Sequence, residues 1–68
     1  MDFPADYRKP TVRLIGTDGN AFAILARVSR AMREAGVPKE IVSAFFAEAT
    51  AGNYDHLLCT CMKFVDVR

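Results

Sequence analysis

Three clusters of turn-forming residues constrain this 68-residue chain more than any other feature: Gly16-Thr17-Asp18-Gly19-Asn20, Gly36-Val37-Pro38 and Gly52-Asn53. Glycine adopts dihedrals that other residues avoid, asparagine caps helices, and proline cannot donate within one. The clusters leave four segments, none longer than 15 residues, and no such segment folds alone. The segments must therefore bury their apolar faces against one another in one small domain. A chain of this size buries only about 60% of its unfolded surface on folding, so most residues stay partly exposed. Its composition is 51% hydrophobic with a net charge of +1, opposite to the disordered signature. No run approaches the roughly 18–20 apolar residues of a membrane span.

Residues 1–10 read as an extended N-terminal tail, because Pro4 and Pro10 discourage helix, with Phe3 and Tyr7 available to pin it to a surface. Early acids and the lack of an apolar core there argue against a signal peptide, so a cytoplasmic location is expected. Residues 11–68 read as a single α+β domain. Thr11 to Ile15 is β-branched and reads as a strand, with Val12 and Leu14 on one face and Arg13 and Ile15 on the other. A helix is expected from about Asn20 to Ala35, with Ala21, Ile24, Leu25, Val28, Ala31, Met32 and Ala35 in one apolar arc, and Gly36 as its stop. Arg27, Arg30, Arg33 and Glu34 fall on the opposite side, with Ala23 and Ala26.

A second helix is expected from Pro38, at its first position, to Gly52, with Ile41, Phe45 and Ala49 in one stripe and Val42 and Phe46 beside it. Phe45 belongs in the core and Phe46 outside. Asn53 caps a third helix whose stripe is Leu57, Leu58, Cys61 and Met62. Phe64 to Arg68 alternates apolar and charged residues and reads as a short strand. The predicted order is β-α-α-α-β, with the terminal strands paired and Arg13 opposite Asp66. A two-stranded sheet is marginal in water, and its edges are open. Pairing with a second copy would cure both faults, so a homo-oligomer is expected, with Ile15, Val42 and Phe46 at its interface.

Nine basic residues face eight acidic ones, which argues against a dedicated nucleic-acid binder and makes any positive field local. Cys59 and Cys61 are two positions apart on a helix, so they diverge and cannot bridge. With one histidine in the chain they are too few for a zinc site; no metal and no cofactor are expected.

Three places carry candidate chemistry. The loop Gly16, Thr17, Asp18, Gly19 and Asn20 precedes a helix N-terminus, where free amides suit a phosphate; the plainer role is a turn and helix cap. Asp18 would repel an anion but suits a ribose hydroxyl. Arg27, Arg30 and Arg33 stand at spacings of three, within reach of one polyanionic ligand or a carboxylate-rich surface, or form a solvated face. Tyr54 and His56 offer a stacking or orienting group for a base, as does Phe46. His56 is also the sole imidazole, with Cys59 one turn on, but helical neighbours seldom give a Cys–His pair the geometry of catalysis, and a structural hydrogen bond is the expected role. Glu48 lies inside or beside the buried arc of the second helix and needs a partner, with Arg13, Lys63 and His56 as candidates, or a place at a subunit boundary, unless it snorkels to water.

The segments G-T-D-G-N-A-F-A-I-L (16–25), A-G-V-P-K-E (35–40) and E-A-T-A-G-N-Y-D-H-L-L (48–58) resemble a group of short phage, prophage and bacterial proteins without an assigned activity. The resemblance spans about residues 11–67 and implies a phage-type accessory protein acting in the host cytoplasm, not a metabolic enzyme. By analogy of size and context, the expectation is a non-enzymatic sponge that sequesters a small anionic ligand, such as a nucleotide immune signal. The alternative is an adaptor that grips a host protein through an apolar helix face or an open strand edge.

Overall fold

Asn20 opens the first helix as its residue type predicts: its side-chain oxygen accepts the Phe22 amide at 2.8 Å and starts α1 (Ala21–Glu34). This is a computed structural model that describes residues 7–14 and 19–68. The other elements are β1 (Thr11–Val12), α2 (Lys39–Ala49), α3 (Tyr54–Phe64) and β2 (Asp66–Val67). The layout is the expected α+β order, β-α-α-α-β, with the terminal strands paired. Among the described residues no helix is long and apolar enough to cross a membrane.

Each helix end has a visible cause. Gly36 takes φ +80°; its amide donates to Arg33 O at 3.1 Å and that of Val37 to Met32 O at 3.0 Å. The two bonds satisfy carbonyls that the end of α1 leaves open, and the left-handed residue between them favours glycine. Pro38 is the N-cap of α2, so the helix begins at Lys39, one place later than expected, and the Pro38 carbonyl accepts from the Ile41 and Val42 amides. α2 stops at Ala49 instead of Gly52, with Thr50 as its C-cap: the Thr50 amide and hydroxyl both donate to Phe46 O, at 3.2 and 2.9 Å. Asn53 caps α3 through the His56 amide at 2.9 Å.

Val28, Met32, Ile41, Phe45, Leu57, Cys61, Phe64 and Val65 fill the core. The Phe45 and Phe64 rings meet edge to face, with centroids 5.3 Å apart. Phe45 is fully buried and Phe46 is 50% exposed, as consecutive helical positions require. Burial is the strongest influence on Cys61, whose thiol is pushed up to about 11.

Three expectations need correction. Met62 is 55% exposed, and Thr60 takes the interior place in its stead; its hydroxyl donates to His56 O at 2.8 Å, which makes burial cheap. Phe64 belongs to α3, because it completes the helical series Leu57, Cys61, Phe64, so the last strand begins only at Asp66. The strands run parallel with Thr11 opposite Asp66 and Val12 opposite Val67, so Arg13 does not face Asp66. Arg68 donates to Val12 O at 2.8 Å and accepts from the Leu14 amide at 2.6 Å, which sets Arg13 beside Arg68.

Part of the tail is docked. The Tyr7 hydroxyl donates to Phe64 O at 2.6 Å and the Lys9 ammonium to Met62 O at 3.0 Å. Both acceptors lie in the last turn of α3, where carbonyls lack helical partners and a cation suits the dipole. Phe3 lies outside the described residues.

Candidate functional site: a groove between the first strand and the first helix

Parallel pairing uses alternate residues of β1. Pro10 O, Val12 O and the Leu14 amide bond to β2 or its extension. The backbone N–H and C=O groups of Thr11 and Arg13 therefore point to the opposite edge, and among the described residues they meet no hydrogen-bond partner. That edge forms one wall of a groove of about 520 Å3 whose other wall is α1.

The α1 wall follows from helical spacing. Ala23, Ala26, Arg27, Arg30 and Glu34 recur at intervals of three and four and share one side. Ala23 and Ala26 keep the floor open because a methyl group cannot fill it. Arg13 stands on the strand wall and Arg27 and Arg30 on the helix wall, so among the described residues three arginines line the groove against the one acidic residue Glu34. Arg30 Nε donates to Glu34 Oε1 at 2.8 Å in an exposed pair one turn apart. Such a pair is weak and gives way to a competing anion at little cost.

The expected site residues divide into separate groups. Arg27 and Arg30 line the groove, whereas Arg33 lies in the last turn of α1, exposed and outside the lining, where its charge suits the helix dipole. Tyr54 donates its hydroxyl to Gly19 O at 2.6 Å and braces the entrance to α1. Asn20 is the α1 cap. Gly16, Thr17, Asp18 and the interface candidate Ile15 lie outside the described residues.

His56 Nε2 lies 2.9 Å from Glu48 O and 3.4 Å from Glu48 Oε1. A carbonyl can only accept, so Nε2 carries the hydrogen and the ring ties α3 to the end of α2. Glu48 is exposed, not buried, because it sits about 60° from the centre of the α2 arc at Phe45. Of the three partners considered for it, the structure brings His56 near. Neither Tyr54 nor His56 lines the groove.

Val42 is half-buried against the core of its own chain, so most of its apolar surface is covered without a second copy; Phe46 stands outside. Phe22, on the flank of α1, is 82% exposed. Among the described residues no three of histidine, cysteine, aspartate and glutamate cluster in a way that could hold a metal ion.

Thr11, Arg13, Ala23 and Ala26 were not marked as site residues by the sequence. The signal for the two alanines is their shared face with Arg27 and Arg30; for Thr11 and Arg13 it is the alternation of strand hydrogen bonds. Comparisons with protein-family models, curated proteins and solved structures find no match to this chain.

Proposed function

We propose that the chain is a non-enzymatic binding protein that captures a negatively charged partner in the groove between β1 and α1. The observation that carries this reading is the convergence of Arg13, Arg27 and Arg30 on one open groove, with Glu34 the only carboxylate among the described residues of its lining. A protein with a net charge of +1 attracts anions only where its cations are concentrated. Capture is favoured over turnover because the one imidazole is engaged with a backbone carbonyl and the core thiol is held protonated. The phage-type role implied by the resemblance is compatible with capture, since sequestration needs binding alone.

A nucleotide sponge would place an aromatic platform beside the phosphate-binding arginines. Tyr54, His56 and Phe46 lie outside the groove, so the platform would come from a second copy. The half-exposed Phe46 ring favours such a copy.

The test is a thermal-shift and calorimetric titration of wild type and the Arg27→Glu, Arg30→Glu double variant. The panel comprises cyclic di- and trinucleotides, ADP-ribose derivatives and acidic peptides. At least one anion should stabilise the wild type and leave the variant unmoved. Silence across the panel, or equal shifts in both proteins, would overturn the reading.

A further inference from the structure

We infer, resting on the groove as the binding site, that its occupant is an extended acidic peptide segment that adds to β1 as a third strand. The carrying observation is the set of four backbone groups on the outer edge of β1. Thr11 and Arg13 each present one N–H and one C=O toward the groove side, unpaired among the described residues. A phosphate could use the amides, but the carbonyls alternating with them would repel it. A peptide strand offers donors and acceptors at the same alternation and satisfies all four.

The chemistry of the walls supplies the rest. Exposed strand edges in monomeric proteins are usually blunted, often by charge, and Arg13 and Arg68 stand side by side on this sheet. Like charges in neighbouring strands are unfavourable, and a carboxylate beside Arg13 relieves that repulsion. On the helix wall Arg27 and Arg30 are three residues apart, about 4.5 Å along the axis. Alternate residues of an added strand are about 6.6–6.8 Å apart, a difference that flexible arginine side chains absorb. Glutamates at alternate positions of the peptide therefore meet the arginines, while the alanine floor leaves room for the intervening side chains. No aromatic side chain is found in the described lining, which disfavours a base as occupant.

The test uses the full chain and a fluorescein-labelled ten-residue peptide of alternating glutamate and threonine. Anisotropy should show saturable binding that weakens at least tenfold in Arg27→Ala with Arg30→Ala, and again between 50 and 500 mM NaCl. Ala26→Leu, which fills the floor at an exposed position, should weaken it similarly with the melting temperature unchanged. Amide exchange measured by NMR should slow at least tenfold at Thr11 and Arg13 on peptide addition. Of two peptides N-methylated on alternate residues, one register should lose binding and the other keep it.

Arginine-dependent peptide binding without slowed exchange at Thr11 and Arg13 would overturn strand addition and leave the groove as an anion site. Nucleotide binding that needs Arg27 and Arg30, with no peptide binding, would do the same. Binding of neither would remove both conclusions. Protection of Thr11 and Arg13 that grows with protein concentration in the absence of peptide would assign the edge to a second copy and overturn the peptide as occupant.

Discussion

His56 Nε2 stands 2.9 Å from the carbonyl oxygen of Glu48, joining the first turn of α3 to the end of α2 across the Gly52-Asn53 corner. The corner is tight: a Cβ built on Gly52 would lie 2.8 Å from the His56 Cβ and Cγ atoms, closer than real side chains come. Glycine is required there for close approach, not for its dihedral. The sole histidine of the chain is thus a structural tie, which is why the binding chemistry has to be sought elsewhere.

His56→Ala should lower stability by about 1 kcal/mol, the usual value of one hydrogen bond, and a domain of this size then melts about 4–8 °C earlier. Gly52→Ala should destabilise as well. In the double variant the contacts with Cγ and Cδ2 disappear with the ring while the 2.8 Å contact with the Cβ of position 56 remains, so the combined loss in urea unfolding should be only modestly smaller than the sum of the two. Simple additivity would show that the ring and the glycine do not interact.

Phe45→Ala and Phe46→Ala should separate sharply. Removing the buried ring that meets Phe64 costs about 3–5 kcal/mol, comparable to the whole stability of so small a domain, and far-UV circular dichroism should show extensive unfolding. Phe46→Ala should change monomer stability by less than about 0.5 kcal/mol. Sedimentation of the same variant tests the proposed second copy, since any oligomer seated on Phe46 should dissociate.

Gly36→Ala should cost about 1–2 kcal/mol by urea titration. The cause is backbone conformation alone, because φ is +80° and a Cβ there meets nothing within 4 Å. Asparagine, which tolerates this region better, should cost less.

Stability should fall on the alkaline side. Burial raises both Tyr7 and Cys61 above their ordinary ranges, Cys61 to about 11, so the folded chain holds protons that the unfolded chain releases sooner. Their contribution is complete below the unfolded values and is lost as pH rises through the folded ones. For Cys61 that window runs from about 9 to about 11. Urea midpoints measured from pH 7 to 11 should fall across it, and Cys61→Ala, although less stable at neutral pH, should show a shallower decline.

The segment boundaries were written in single residues. Asn20, Gly36 and Asn53 mark helix ends because capping and left-handed backbone are local properties of a side chain or its absence. The division between Phe45 and Phe46 was equally plain, since helical geometry turns consecutive positions 100° apart. Errors arose where the inward direction of a helix was set by what it packs against. Met62 lies outside and Thr60 inside, its hydroxyl satisfied by the His56 carbonyl one turn back in the same helix. For Glu48, close to Ile41 in helical angle, the sequence left open a paired place in the buried arc or an edge position in water; with Phe45 at the centre of the arc it is the exposed edge.

By itself, then, the sequence determined one α+β domain of three helices between two short strands, and a helix face on which Arg27 and Arg30 stand with small alanines. Only the tertiary structure decided what that face looks at. Strand direction and register depend on how the helices pack, which is not encoded in any one segment. The parallel register moved Arg13 away from Asp66, set it beside Arg68, and turned the free backbone of Thr11 and Arg13 toward the groove. That placement joined a strand residue to two helix residues in a single cationic groove.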